Sequence, residues 1–256
     1  MQGRIFLAFL GHGPVVSWRT IQFSYSLEAM IMNFDRAFQT VRNELAEIGL
    51  LDDGLYLDHI ELHISDYPSK GEQGYVFDYV GWWAKYGFKP GVIYVPRDAP
   101  CLPYVPGMTL TDTVRHEFAH AWRTFDPRYF REGWFERTFG ANYTTESPKP
   151  LREWQRSLNR SRRYQSDLRR CRTESGRKRL YRAYYRQEFI TDYASQNACE
   201  DFAETFMFYL KYRNSLDRFE DRVNVIRKLR VIERIVARAA KRIAEPQSGS
   251  YRVCSA

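Results

Sequence analysis

Apolar residues between Met30 and Ile48 fall at Ile31, Phe34, Phe38, Val41, Leu45 and Ile48. Steps of three and four predict an amphipathic helix, and Gly49 stands just past its end, where a C-cap glycine belongs. From Leu55 to Ile64 the apolar and polar positions alternate, which predicts a strand closed by Tyr67-Pro68. Gly91 to Pro96 predicts a second strand, with Pro96 marking an edge or a stop. Asp78 to Tyr86 is too aromatic and Gly-flanked to assign, and Pro100, Pro103 and Pro106-Gly107 predict a loop. Thr109-Leu110-Thr111-Asp112 has the form of an N-cap box, so a helix should run from there to about Phe125, stopping before Pro127.

The pattern changes after Pro148-Lys149-Pro150. Leu151 to Phe189 consists almost entirely of helix formers, interrupted at Ser175-Gly176, and predicts two basic helices joined near Gly176. A further helix is expected from Asn197 to about Tyr212, and a last one from Leu216 to Ile243, with Val223, Ile226, Leu229, Ile232, Ile235, Val236 and Ala239 at helical spacing. A helix, then strands, then helices alone define an α+β arrangement. One domain over residues 1–245, with 151–190 as a basic helical insertion and 246–256 as a tail, accounts for this order.

Composition narrows the class. A chain of 256 residues, 44% apolar and 16% aromatic, can bury a sizeable core, which excludes wholesale disorder. The four cysteines are widely spaced with no CxxC pair, and are expected to be free thiols in a reducing compartment. No apolar run approaches the roughly 18 residues of a membrane span, and Ile5 to Leu10 is shorter than a signal-peptide apolar core. A cytoplasmic location is the expectation. The net charge of +8 is unevenly spread: residues 151–190 and 211–242 are strongly basic, and the segment 191–210 between them carries four acids and no base.

Candidate chemistry begins with His116-Glu117-Phe118-Ala119-His120, an HExxH motif inside the predicted helix. At about 3.6 residues per turn, His116 and His120 share one face, so both imidazoles can reach one ion. Zinc accepts neutral imidazole nitrogens and keeps one position open in catalytic sites. Glu117 lies close to that face and can take a proton from a metal-activated water. A third histidine does not follow: Arg123, Thr124 and Asp126 stand where a metzincin would continue, and no histidine lies beyond His120. A protein-derived third ligand is therefore expected to be a carboxylate. Glu200 and Glu204 lie one turn apart on a helix that continues through Phe206, Met207, Tyr209 and Leu210, and two carboxylates on a buried face need a cation or a donor. Glu200 suits a ligand and Glu204 an acceptor for the second ring N–H of a ligand histidine.

HExxH at 116–120, with the downstream Tyr193-Ala194-Ser195 and Glu200-Asp201-Phe202-Ala203-Glu204, resembles gluzincin-type zinc metallopeptidases. It is most similar to the zinc-binding metallopeptidases and lethal-factor-like catalytic domains that pair HExxH with a second, glutamate-bearing helix. The resemblance spans about residues 90–212. It implies a zincin-like fold with a small mixed or antiparallel sheet, Zn2+ as cofactor, and a hydrolase that cleaves peptide bonds in a peptide or protein substrate. His116, His120 and Glu200 would be the metal ligands, Glu117 the general base, and Glu204 the carboxylate behind a ligand. By the same resemblance Tyr193 would stabilise the transition state, a role a phenol near a metal can also fill by donating to the developing oxyanion. The strand at Gly91–Val95 would, by order, be the edge on which extended substrate pairs. Phe139-Gly140-Ala141-Asn142-Tyr143 receives no role.

Other features have plainer readings. His59 and His63 at i, i+4 would share a strand face and are expected to be ordinary surface or core histidines, and His12 a loop residue. The arginines and tyrosines of 151–190 could meet an acidic or nucleic-acid partner, against the simpler expectation of a solvated hairpin whose Arg stems cover apolar surface. Two rival classes stand beside the peptidase: a zinc-binding regulatory protein without turnover, and a basic nucleic-acid-binding protein with a structural zinc site.

Overall fold

The computed structural model describes residues 27–52, 55–65, 92–96, 108–131, 133–145 and 147–245. His12, the Asp78–Tyr86 stretch, the loop at Pro100–Gly107 and the tail 246–256 lie outside them. Helix α1 (Leu27–Glu47) leads to a hairpin of β1 (Leu51–Asp52) and β2 (Leu55–Tyr56), then β3 (Glu61–Ser65) and β4 (Val92–Pro96). After these come α2 (Leu110–Phe125), α3 (Arg128–Arg131), α4 (Gly133–Phe139), α5 (Lys149–Arg160), α6 (Arg162–Arg170), α7 (Glu174–Glu188), α8 (Ala198–Tyr212) and α9 (Val223–Ala244). The described residues are thus mostly helical. Their strands form two separate two-stranded sheets: β1 with β2 antiparallel, and β3 with β4 parallel, Glu61 opposite Val92 and Ser65 opposite Pro96. Among the described residues no helix is long and apolar enough to cross a membrane.

α1 places Phe34, Val41 and Leu45 in the core and ends as its sequence predicts. Gly49 adopts φ +72°, Leu50 N–H reaches back to Leu45 O at 2.9 Å, and the chain passes so close to α9 that a Cβ on Gly49 would lie 2.8 Å from Ala240 Cβ. The single strand expected from Leu55 to Ile64 is broken. Leu57–His59 forms a 3-10 turn, with Arg42 of α1 donating to the Asp58 carbonyl at 3.0 Å and to its carboxylate. A tertiary contact outweighs the local alternation, and His59 in the turn no longer shares a strand face with His63.

The basic segment also departs from its pattern. It holds three helices, because Ser161 caps α6 by accepting from Tyr164 N–H and Thr173 caps α7 by accepting from Gly176 N–H. Gly176 lies in the first turn of α7 and does not join two helices. The last helix begins at Val223 and not at Leu216, since Arg213–Phe219 winds as a 3-10 segment kinked at Ser215.

α2 and α8 pack through aromatic rings. Trp122 lies 5.3 Å from Phe206 between ring centroids, and Phe202 meets Phe130 edge-on at 4.8 Å. Ion pairs fix the helices from the outside of this cluster. Arg115 on α2 is bidentate to Glu44 on α1 at 2.6 and 2.7 Å and also reaches Asp112 Oδ1 at 2.6 Å. The other oxygen of Asp112 takes Lys211 of α8 at 2.7 Å. On the far side of α8, Lys228 of α9 is 2% exposed and donates to Asp201 Oδ2 at 2.7 Å and to the Glu188 carbonyl at 2.8 Å. α8 is therefore held at both ends by charge pairs, buried at Asp201 and part-buried at Lys211, and it carries half of the site.

Candidate metal centre

The first half of the site stands on α2. Thr109 caps this helix in a full capping box with Asp112, and the chain leaves it at Asp126-Pro127. Within that helix His116 and His120 are one turn apart, and their Nε2 atoms face each other at 3.1 Å. The second half stands on α8, capped by Asn197, whose side chain accepts from Glu200 N–H at 2.9 Å. Glu200 Oε2 lies 3.0 Å from His116 Nε2 and 3.6 Å from His120 Nε2, is buried, and makes no hydrogen bond. Ligand atoms of His116, His120 and Glu200 all fall within 4.8 Å of one another.

The remaining ring nitrogens are already engaged. His116 Nδ1 donates to Glu204 Oε1 at 2.8 Å. The second oxygen of Glu204 accepts from Thr191 Oγ1 at 2.6 Å, and Thr191 in turn accepts from Ala194 N–H at 3.1 Å. His120 Nδ1 faces Tyr143 Oη at 2.7 Å and Cys199 Sγ at 3.3 Å. With both Nδ1 atoms as donors, both Nε2 lone pairs turn toward the orphaned oxygen of Glu200.

Three acceptor atoms converging in a buried site need positive charge between them. Burial lowers the basicity of His116, yet the Glu200 and Glu204 carboxylates outweigh it and push the pKa up to about 10. His120 is likewise raised well above its ordinary value, against burial, by Tyr143, Cys199 and Glu200. Two imidazolium rings with nitrogens 3.1 Å apart would repel, whereas one divalent cation satisfies all three atoms. The distances fit such an ion: two zinc–ligand bonds of about 2.0–2.1 Å at a tetrahedral angle separate their donor atoms by about 3.3–3.4 Å. The observed separations of 3.0, 3.1 and 3.6 Å bracket that value.

Glu117 is 5% exposed, and burial raises its carboxyl to a pKa of about 7 against the lowering effect of the two histidines. Tyr193 sits in a 3-10 turn, Tyr193–Ser195, with its ring 5.7 Å from that of His116. Its hydroxyl is held neutral far above the ordinary range, mainly by burial and then by the nearby Glu200 and Glu117 charges.

His116, His120 and Glu200 are thus brought together, with Glu204 and Tyr193 against His116, while Glu117, between the two histidines in sequence on α2, is buried. Three that surround the site were not foreseen as participants: Thr191, Tyr143 and Cys199. Tyr143 is 23 residues from His120 on a segment with no periodic relation to α2, so only packing reveals it. For Thr191 a weak signal exists, a Thr whose hydroxyl can accept from the N–H three residues on, in the turn before a helix. Cys199 immediately precedes Glu200 and is a free thiol, and nothing in its spacing marks it as a partner of His120.

Residues 107–247, more than half of the chain, match the family described as "putative zinc-binding metallo-peptidase". The chain belongs to this family. The matched span contains α2 to α9 and every residue of the site. No curated protein and no solved structure matches the chain.

Proposed function

We propose that the protein is a zinc-dependent peptidase of gluzincin type, in which His116, His120 and Glu200 hold the metal. One observation carries this reading: the convergence of two imidazole Nε2 atoms and an orphaned carboxylate oxygen from two separate helices, with both Nδ1 atoms already bonded. Membership of a family described as zinc-binding supports it. When bound, zinc supplies Lewis acidity, polarising a peptide carbonyl and making water acidic near neutral pH.

The chain's own residues do the rest. Glu117, buried beside both histidines, takes a proton from the attacking water and passes it to the leaving amine. Tyr193 donates its hydroxyl proton in a hydrogen bond to the developing oxyanion. Glu204 keeps the Nδ1 proton on His116 and so keeps Nε2 available as a ligand. The unit that does this is a zincin-like domain over residues 1–245, with 151–190 inserted between the two halves of the site.

The test compares wild type with Glu200→Ala and Glu117→Gln. Zinc measured by mass spectrometry should be about one per chain in wild type and in Glu117→Gln, and should fall sharply in Glu200→Ala. Cleavage of a peptide library should drop about 10²–10⁴-fold in Glu117→Gln. Absence of zinc from metal-replete wild type refutes the metal centre, and zinc without any cleavage by wild type reduces the reading to a binding protein.

A further inference from the structure

α9 has two faces of different character. Val225, Leu229, Ile232, Val236 and Ala239 are buried in the core. On the opposite side Arg227, Arg230, Arg234, Arg238 and Lys241 are all exposed. At about 100° per residue these five fall within an arc of about 80°, and at 1.5 Å per residue they extend over about 21 Å. Glu233 is the one acid of the helix, lies outside that arc, and reaches only Arg230, at 2.9 Å. The packed apolar face fixes the backbone beneath this row of cations, so the ordering cost on binding is confined to their side chains.

The segment 151–190 has the same basic character, and its last helix, α7, packs on α9. All thirteen Lys and Arg of residues 151–190, on or beside α5, α6 and α7, are exposed, and twelve of them are Arg. α7 meets α9 directly: Arg222, the residue before α9, donates to the carbonyls of Arg186 and Phe189 at 2.6 and 2.9 Å, and Asn224 donates to Glu188 at 2.6 Å.

Three classes of partner present dense negative charge, and the surface distinguishes them. A stable protein interface has an apolar, aromatic centre, yet the exposed large hydrophobic residue among the described residues is Val223. A membrane-surface helix sinks its apolar face into lipid, and that face of α9 is already covered by the protein core. A nucleic-acid backbone needs neither, since its interfaces are polar and strongly positive. Arginine's planar fork matches phosphate oxygens, and duplex DNA carries one charge per about 1.7 Å of axis, enough to engage every cation along α9.

We infer that the exposed face of α9, with α7 packed beside this helix, is a binding surface for the phosphate backbone of nucleic acid, without base readout. It is independent of the metal centre and goes beyond the peptidase reading.

The test is fluorescence anisotropy of a labelled 20-base-pair duplex of mixed sequence with the full chain, titrated at several salt concentrations. Five phosphate contacts from α9 predict a slope of log K against log salt of about −4.5 or steeper. The triple variant Arg230→Gln, Arg234→Gln, Arg238→Gln should flatten that slope by about 3 and weaken binding at low salt by about tenfold or more. The matching Arg→Lys triple, which keeps the charge, should retain the slope and guards against a loss caused by misfolding. A second duplex of unrelated sequence should bind equally. A wild-type slope shallower than about −2, or a Gln triple that binds like wild type, overturns the inference. So does tighter binding to a polyglutamate peptide or to phosphatidylserine vesicles than to the duplex at equal ionic strength.

Discussion

The hydroxyl of Thr191 donates to one oxygen of Glu204 at 2.6 Å, while the other oxygen of the same carboxylate takes the Nδ1 proton of His116 at 2.8 Å. Thr191 lies two residues before Tyr193, and its Oγ1 also accepts the Ala194 N–H. A single carboxylate on α8 therefore sets both the ring of His116 and the turn that carries Tyr193. The proposed metal ligand and the proposed oxyanion donor are positioned by one buried group, 0% exposed.

Glu204→Ala strands the Nδ1–H of His116 and the Thr191 hydroxyl inside the protein. Zinc affinity, measured by chelator competition, should fall about 10–100-fold, and urea unfolding should show a loss of about 1–3 kcal/mol. Glu204→Gln retains an acceptor for His116 and should recover most of both. Equal zinc affinity in wild type and the Ala variant would remove Glu204 from the site's support.

Tyr143→Phe keeps the ring, which packs edge-on to Phe130 at 5.5 Å, and removes only the oxygen facing His120. Zinc affinity should drop about tenfold, with less than about 1 kcal/mol lost in stability. Chelator competition and a thermal melt on the same sample separate the two effects. An unchanged affinity would leave Cys199 as sufficient partner for His120.

Lys228→Met removes the buried cation that faces Asp201 and the end of α7. Breaking one side of such a pair costs about 3–5 kcal/mol, because the remaining carboxylate stays buried and uncompensated. The double variant Lys228→Met, Asp201→Leu should recover more than half of the loss in urea unfolding. Additive losses would show that the two side chains do not act as a pair.

Acid should weaken the junction of α1, α2 and α8 through Asp112. Burial raises its pKa, but the Lys211 ammonium and the Thr109 hydrogen bonds outweigh it and hold the carboxyl below its ordinary 3.8. A carboxyl depressed in the folded state contributes stability that is present above its unfolded pKa and lost as pH falls through the folded value. The difference in urea midpoint between wild type and Asp112→Asn should thus be constant above about pH 5 and shrink as pH drops below 3.8. A difference that never shrinks as the pH falls below 3.8 would mean that the charge of Asp112 contributes nothing.

Much of this protein is local and therefore readable from order and spacing alone. The 3.6-residue period puts His116 and His120 on one face wherever the helix packs, and it puts Glu200 and Glu204 one turn apart. Thr109, Asp112, Asn197 and Gly49 act within a few residues of themselves, so the limits of α2 and α8 and the end of α1 follow from the sequence. The same period places the five cations of α9 on one side. Tertiary structure decided what depends on distant groups. Arg42 bends 57–59 out of the strand that their alternation suggests, from 16 residues away. Tyr143, Thr191 and Cys199 join the site because α2, α8 and the turn at 193–195 are brought against one another around Phe202, Trp122 and Phe206. Spacing along a chain specifies which side chains share a face, whereas which faces meet is set by aromatic packing and buried charge pairs between helices, and that is where the proposed metal site arises.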